Sequence, residues 1–407
     1  MTRSLVLLAV VSMLAAVCSP AVAFSPNSAA QLASIERVTE KIRELTHTSD
    51  ILVQFPSSPA FNALAAASNK RDNPDADVTI SQREMLLLGL LPQGVKVSSI
   101  LDRLAKQVLA FYDPARRILY VRTSQSVLFG LERSVVSSEY THALLDQHYH
   151  LLKLEPNLAN VAYRNSDLVA AHRALVEGDA QTTAGLFVEK TYSPQELKQL
   201  PGLATSKGPK LPNSLQRQLD FPYTAGTRFV QHLYSSGGMS AVDAAYKRLP
   251  TSTYEILHPS AYLAHWKGVQ VRMHTIIGFE SWTIVDDDVF GALGYDLLLW
   301  QFLGKKIADS VTAGYRGDRY VLLSKAGQDA MRLDSVWTKH AAANAAKNAI
   351  VRSLRLRYPA AVVTSAGATT VVAPAQTVRV QVKGSKMTLV YAPTPDLANE
   401  LALAIVS

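Results

Sequence analysis

The sequence predicts a mainly α-helical protein with small β-sheets, an α+β fold, and three observations lead to that prediction. Apolar side chains recur at helical spacing over most of the chain, most clearly at 126–154 and 166–190. Short strand-like runs are local, at 118–122, 319–324 and 378–392. The 407 residues are 48% hydrophobic and 18% charged, which provides a sizeable core and excludes wholesale disorder.

The composition also excludes several classes of protein. There is one cysteine, so we expect neither a disulfide framework nor a zinc site built from cysteines. The chain carries 41 basic and 33 acidic residues, a formal net charge of +8. This excess is spread along the chain without a Lys/Arg-rich block. We therefore expect a generally basic surface and no nucleic-acid partner.

The first 23 residues have the layout of a secretory signal peptide. Arg3 is the positive end, residues 5–17 form the apolar stretch, and residues 21–23 (AVA) form a cleavage site before Phe24. The alternative is an uncleaved N-terminal anchor. No later segment reaches 18 apolar residues, so we expect a mature chain without a membrane span that is secreted or periplasmic.

The N-terminal half is predicted to be mostly helical. Its expected helices, most of which end at proline or turn residues, are 28–48, 81–91, 98–111, 126–154 and 166–190. The segment 118–122 (ILYVR) is rich in β-branched and aromatic residues and is predicted to be a strand. The polar, turn-rich stretch 69–79 is predicted to be a loop.

The C-terminal half adds shorter helices and most of the strands. After a Pro/Gly/Ser-rich connection at 191–222, the expected helices are 224–236, 239–247, 289–312 and 343–357. The segment 319–324 begins a strand, and 378–392 is a hairpin, because alternating residues flank Gly384-Ser385. The low-charge stretch 360–376 is predicted to be a linker, and Asp396 to cap a last short helix.

The chemically informative segment lies in the helix 126–154. Two zinc ligands four residues apart on a helix are turned by only about 40°, so both can reach one ion. A Glu directly after the first ligand can then activate the bound water. In Ser138-Glu139-Tyr140-Thr141-His142, Glu139 and His142 take the second and fifth positions of this HExxH motif. Ser138 takes the first position, where the pattern requires a histidine.

A second segment, ALVEGDA at 174–180, carries Glu177 on the next long helix. With it, the chain resembles a family of secreted bacterial zincin-like metallopeptidases of the glutamate type. The resemblance implies a zincin-like core in which Glu139 is the general base and His142 and Glu177 are zinc ligands. Further segments that look like those of the family follow one another over roughly residues 85–325, namely GLLP (89–92), QVLAFYDP (107–114), FPY (221–223), PTSTYEILHP (250–259) and GDRYVL (317–322).

The departures from the family pattern fall on polar positions. Ser138 replaces the first ligand, Thr224 stands where an acidic residue is expected, and Ala292 replaces a Glu. Tyr254 occupies the place of another Glu, with Glu255 one position later. The apolar frame and the glycines are kept, which indicates a retained fold with a degraded site. A serine hydroxyl is a poor and short zinc ligand, so zinc is a doubtful cofactor.

Two further residues have alternative roles. Asp146, four residues after His142, either orients that imidazole or caps a polar stripe. His258 either approaches the site as a substrate-polarising residue or serves as a turn or capping histidine before a proline. By helical geometry, the remaining histidines near the motif are poor substitutes for the missing ligand; they are His148, His150 and His172.

These observations predict four segments: a signal peptide at 1–23, an N-terminal helical and loop segment at 24–80, a zincin-like domain at 81–325, and a small α+β segment at 326–407. The leading hypothesis is a catalytically impaired metallopeptidase homologue that binds a peptide or an envelope protein. One alternative is an active zinc peptidase that uses Glu139 and an unidentified ligand. Another is an envelope-structural protein whose tail, 360–407, carries the interaction.

Overall fold

The computed structural model describes residues 26–122, 128–154, 164–198, 211–273 and 275–406. The predicted signal peptide at 1–23 lies outside these ranges. Within them, no helix is long and apolar enough to cross a membrane.

Helices make up most of the described chain, in agreement with the predicted α+β class. Those of the N-terminal part are α1 (Pro26–Arg43), α2 (Ser58–Asp72), α3 (Asp75–Leu88), α4 (Val97–Ala105), α5 (Leu131–Tyr149), α6 (Leu151–Leu154), α7 (Ser166–Thr191) and α8 (Asn213–Lys247). Those of the C-terminal part are α9 (Thr253–Leu257), α10 (Pro259–Leu263), α11 (Gly291–Leu303), α12 (Lys305–Thr312), α13 (His340–Arg357) and α14 (Pro395–Leu403).

The strands form two sheets. The first three are β1 (Leu52–Gln54), β2 (Ala110–Asp113) and β3 (Ile118–Val121). They form a small sheet in the order β1-β3-β2, with β1 parallel and β2 antiparallel to β3. The others are β4 (Thr283–Asp288), β5 (Tyr315–Lys325), β6 (Gln328–Trp337), β7 (Val362–Ala366), β8 (Ala368–Ala373), β9 (Gln376–Lys383) and β10 (Lys386–Ala392).

The second sheet has seven antiparallel strands in the order β4-β5-β6-β10-β9-β8-β7. Successive side chains along its strands point to opposite faces, and both faces are covered by other apolar residues. In β5, Tyr320 and Leu322 belong to the main hydrophobic core, whereas Val321 and Leu323 belong to a smaller core that includes residues of α14. The sheet therefore joins two apolar layers.

This sheet changes the predicted domain organisation. The expected boundary between 325 and 326 falls in the turn between β5 and β6, two neighbouring strands of one sheet. The predicted linker at 360–376 contains β7 and β8. Its Ala, Thr and Val residues alternate in burial once they pair with β9, a non-local contact that the linker interpretation omitted. Residues 360–407 therefore contribute four strands to the sheet rather than a separate tail.

Several element boundaries also differ from the predictions. The expected loop at 69–79 holds the end of α2 and the start of α3, which are separated only by Asn73-Pro74. The predicted helix at 98–111 ends at Ala105, and its last residues enter β2. At α14 the capping residue is Thr394, whose hydroxyl accepts a hydrogen bond from Leu397 N at 3.3 Å, and not Asp396. The short Thr side chain lies before the helix, as an N-cap requires.

Candidate functional site

A cavity of about 170 Å³ lies between α5, α7, α2 and α4. Its polar end contains Glu139 and His142 from α5 and Glu177 from α7. We call these three residues the cavity cluster. The structure thus brings together the three residues that the motif and the ALVEGDA segment singled out. Their roles in metal binding or catalysis remain predictions.

Glu139 is the most enclosed member of the cavity cluster. Its side chain is 3% exposed, and its Oε2 accepts a hydrogen bond from the backbone N–H of Tyr112 at 2.9 Å. Burial raises the pKa of Glu139 to about 7, and the nearby charge of Glu177 acts in the same direction. The imidazole of His142 partly offsets this shift. A carboxyl with such a pKa exchanges its proton near neutral pH, as a general base does.

His142 and Glu177 form a pair across the two helices. The distance from His142 Nε2 to Glu177 Oε2 is 3.4 Å. Burial on its own lowers the pKa of this imidazole, but Glu177, and less strongly Glu139, raise the pKa of His142 to about 9. The cationic form is therefore favoured at neutral pH. The two side chains make an ion pair at the end of the cavity.

Ser138 is turned toward a different neighbour. It is 3% exposed, is not among the described residues that line the cavity, and its Oγ lies 3.4 Å from Gln181 Nε2. Gln181 lies one turn after Glu177 on α7. Ser138 and Gln181 therefore make a polar contact between α5 and α7.

The donor set does not fit a zinc ion held by three protein ligands. In the part of the chain that the structure describes, no group of three or more His, Cys, Asp or Glu side chains converges as a metal site. His142 and Glu177 are the two candidate ligands, and Ser138 has a hydroxyl bonded elsewhere. A tetrahedral catalytic zinc normally takes three protein ligands.

Asp146 makes two hydrogen bonds, neither of them to His142. Its Oδ2 accepts a hydrogen bond from the Tyr112 hydroxyl at 2.9 Å, and its Oδ1 accepts one from Leu151 N at 3.0 Å. Tyr112 is the residue whose backbone N–H holds Glu139. Asp146 therefore acts on the cavity through Tyr112, by fixing the end of β2 against α5, and not through His142.

His258 is not brought to the cavity. It lies at the junction of α9 and α10, directly before Pro259, and its ring is 4.6 Å from the ring of Tyr254. Burial lowers its pKa. This placement agrees with the turn-residue alternative. The cavity wall instead includes residues that sequence reasoning had not connected with the site, among them Ser68 and Asn69 of α2.

The ALVEGDA segment positions Glu177 by packing on both sides of it. A Cβ at Gly178 would overlap the backbone carbonyl of Gly226 on α8, and a Cβ at Gly226 would overlap the carbonyl of Ala174. These two glycines allow α7 and α8 to cross in backbone contact. The next residue, Asp179, is fully buried and accepts hydrogen bonds from Arg43 Nε at 2.8 and 3.0 Å.

A second buried acidic group lies away from the cavity. The interior cluster comprises Glu84 of α3, Asp286 and Asp288 of β4, and Tyr320 of β5. Asp286 and Asp288 are buried because alternate residues of β4 face inward. The Tyr320 hydroxyl lies 2.6 Å from Glu84 Oε1 and 2.7 Å from Asp286 Oδ2.

Comparison with known sequences identifies one similar family. Residues 281–402 match a domain of unknown function (DUF8575). The match runs from just before β4 into α14, so it covers the seven-stranded sheet and leaves out α5, α7 and the cavity cluster. No curated protein and no solved structure matches the chain.

Proposed function

We propose that this protein is a secreted, catalytically impaired relative of the glutamate-type zinc peptidases, whose cavity binds a ligand without hydrolysing it. One observation carries the proposal. Glu139, His142 and Glu177 line the same cavity, whereas the residue in the first ligand position, Ser138, is bonded to Gln181 outside it. This arrangement supports a site whose set of zinc ligands is incomplete.

The surroundings of the cavity support a binding role. Its polar end is held by contacts from three directions: Tyr112 N on Glu139, the Gly178–Gly226 crossing beside Glu177, and the Arg43–Asp179 pair behind α7. A binding site needs such preorganisation whether or not it carries out a reaction.

An active zinc peptidase is the second candidate, and the 3.4 Å separation of His142 Nε2 and Glu177 Oε2 favours it. Two donors that already meet need one more protein ligand and a water to complete a catalytic zinc site. This candidate and the proposal differ in the metal content that they require.

The test is the zinc content of residues 24–407, purified without chelators, measured by mass spectrometry. We expect the native protein to hold no stoichiometric zinc and the Ser138→His variant to hold about one equivalent, because an imidazole there supplies the third ligand. Ser134→His is the matched control, since it adds an imidazole one turn earlier on α5. Its zinc content is expected to stay at the native level.

Histidine at position 138 needs the space that Gln181 fills. The double change Ser138→His with Gln181→Ala therefore accompanies the single one, and a thermal melt establishes that each variant is folded. One tightly bound zinc in the native protein would overturn the proposal and lead directly to peptidase assays with Glu139→Gln. Folded variants that take up no zinc would contradict the assignment of a degraded zinc site.

A further inference from the structure

Glu139 has one carboxylate oxygen without a hydrogen-bond donor among the residues that the structure describes. Oε2 accepts the Tyr112 N–H, but no described residue donates a hydrogen bond to Oε1. The side chain is 3% exposed and lines the cavity, so this oxygen lacks the hydration of a surface carboxylate. A carboxylate oxygen that meets little water and no described donor gains from a ligand that supplies a donor.

The rest of the cavity is largely apolar. Its apolar lining includes Leu101, Leu104, Val108, Leu151 and Leu154. A cavity of about 150 Å³ with walls of this kind holds one benzene molecule. The volume of about 170 Å³ therefore suits a ligand body of about six heavy atoms.

The cavity reaches the surface. Leu152 lines it and is 57% exposed, so the apolar wall continues to the solvent. A narrow ligand can therefore enter with its polar end first and place that end against the cavity cluster. The opposite orientation would bury an apolar end among charged groups, which is unfavourable.

The charges at the polar end of the cavity favour a ligand with a positive charge. Two carboxylates, Glu139 and Glu177, face one imidazole, and His142 lies within 3.4 Å of Glu177. Arg173 and Asp72, which also line the cavity, carry opposite charges and so add little to the balance. The carboxylate of Glu139 is left with a backbone N–H as its hydrogen-bond donor. A cationic donor makes a shorter and stronger bond to such a group than a neutral donor does.

We infer that the cavity binds a primary ammonium group carried on a short aliphatic chain, with the nitrogen donating to Glu139 Oε1 and the chain lying against the leucine walls. This inference rests on the proposed function, since it names the chemistry of the ligand at that site. Two sources share this chemistry: a free alkylamine and the side chain of a lysine in a peptide.

The test is calorimetric titration of residues 24–407 with n-pentylamine, n-pentanol and pentanoate, which differ in the charged group on the same chain. We expect n-pentylamine to bind, n-pentanol to bind about tenfold more weakly or worse, and pentanoate to give no signal. Glu139→Gln keeps the shape and the acceptor for Tyr112 N but removes the charge. It is expected to weaken n-pentylamine binding by about tenfold or more.

Glu189→Gln is the matched control, because Glu189 is an exposed glutamate on α7 outside the cavity. It should leave the affinity for n-pentylamine unchanged. A blocked Ala-Lys-Ala peptide and its norleucine counterpart separate the two sources. Tighter binding of the lysine peptide than of n-pentylamine assigns the site to peptides, and binding of n-pentylamine alone assigns it to free amines.

Equal binding of the amine and the alcohol, binding of pentanoate, or an unchanged affinity in Glu139→Gln would overturn the inference. The metal analysis keeps this outcome separate from the proposed function. If n-pentylamine fails to bind while the native protein is free of zinc and Ser138→His gains it, only the ligand assignment is lost. If the native protein holds tight zinc, the proposed function is lost whatever the amine does.

Discussion

Two buried acidic groups in this molecule differ in what their oxygen atoms face. The cavity cluster opens onto a space that solvent or a ligand can enter. The interior cluster is enclosed by α3, β4, β5 and the start of α7, where Ser166 N donates to Asp288 Oδ1 at 2.8 Å. Similar residue types therefore serve different purposes: the interior cluster joins elements, and the cavity cluster is available for recognition.

The two groups also balance their charge differently. The interior cluster does so partly with protons, because the single hydroxyl hydrogen of Tyr320 can serve only one of its two carboxyl neighbours. Burial, and then the charge of Asp286, raise the pKa of Glu84 well above its ordinary value. The interior cluster also has a positive neighbour, Arg164, whose Nη1 lies 2.5 Å from Asp286 Oδ1. In the cavity cluster the positive charge comes from His142. The predictions below disturb the supports of one group while the other is left in place.

The largest effect is expected at Arg43, which holds α7 behind the cavity cluster. Its fully buried side chain contacts Asp179 at 2.8 Å and Asp243 at 2.7 Å. Arg43→Met leaves Asp179 as a buried charge without its partner, which should lower the free energy of unfolding by about 3–5 kcal/mol. Urea denaturation measures this. Arg37→Met, an exposed change on the same helix, should have little effect. Equal losses of stability in the two variants would show that the ion pairs of Arg43 do not stabilise the fold.

Gly178→Ala is expected to come next. The added methyl group meets the carbonyl of Gly226, so α7 and α8 must separate, with a loss of about 1–3 kcal/mol. Binding of n-pentylamine should be lost with it, because Glu177 moves. Gly185→Ala on the same helix meets no atom within 4 Å and should instead stabilise the protein by about 0.5–1 kcal/mol. Denaturation curves give the change in the free energy of unfolding for each variant. A change of the same sign in both would contradict the close backbone contact of α7 and α8 at Gly178.

The third prediction concerns pH and the interior cluster. The pKa of Glu84 is raised from 4.5, and burial followed by the charge of Asp286 raises the pKa of Asp288 from 3.8 to about 7. The folded state thus binds more protons than the unfolded state. The stabilising contribution is complete below about pH 4 and is lost as the pH rises through about 7, by up to about 1.4 kcal/mol per pH unit for each proton.

Glu84→Gln mimics the protonated acid and removes its titration. Between pH 5 and pH 8 the variant should therefore gain stability relative to the native protein. Melting temperatures measured across this range test the sign. A difference between the two proteins that stays constant with pH would mean that Glu84 is ionised in the fold.

The smallest effect is expected for Tyr112→Phe, which removes the hydroxyl that donates to Asp146 and keeps the backbone N–H that holds Glu139. One buried acceptor loses its donor, at a cost of about 1–2 kcal/mol. A double-mutant cycle with Asp146→Asn isolates the pair. Strict additivity in that cycle would show that the hydroxyl and the carboxylate do not interact.

Local patterns predicted the elements that carry the cavity cluster. The helical spacing of 126–154 covers α5 and α6, and that of 166–190 corresponds to α7. The placement of Glu177 near His142, which the family resemblance implied, agrees with the 3.4 Å contact. The wall formed by α2 was not predicted. Residues 69–73 are polar and rich in turn formers, so the local pattern gave no sign that α2 continues to Asp72.

Non-local pairing accounts for most of what the sequence analysis missed. β7 and β8 lie in a low-charge stretch whose strand character depends on β9, and Asp286 is buried because β4 pairs with β5. At the site, the partner of Asp146 was missed for the same reason. Its distance along the helix pointed to His142, but its partner, Tyr112, comes from a strand 34 residues earlier. Spacing within one helix does not reveal such partners.

The strand order has a consequence for how the chain acquires its structure. One side of β6 pairs with β5, the preceding strand, but the other side pairs with β10, which follows only after α13 and three further strands. While the polypeptide is being made, that side of β6 stays unpaired until residues 386–392 arrive. Unpaired strand edges are where chains associate wrongly. A chain that stops before residue 386 should therefore aggregate through β6, even with every residue of the cavity present.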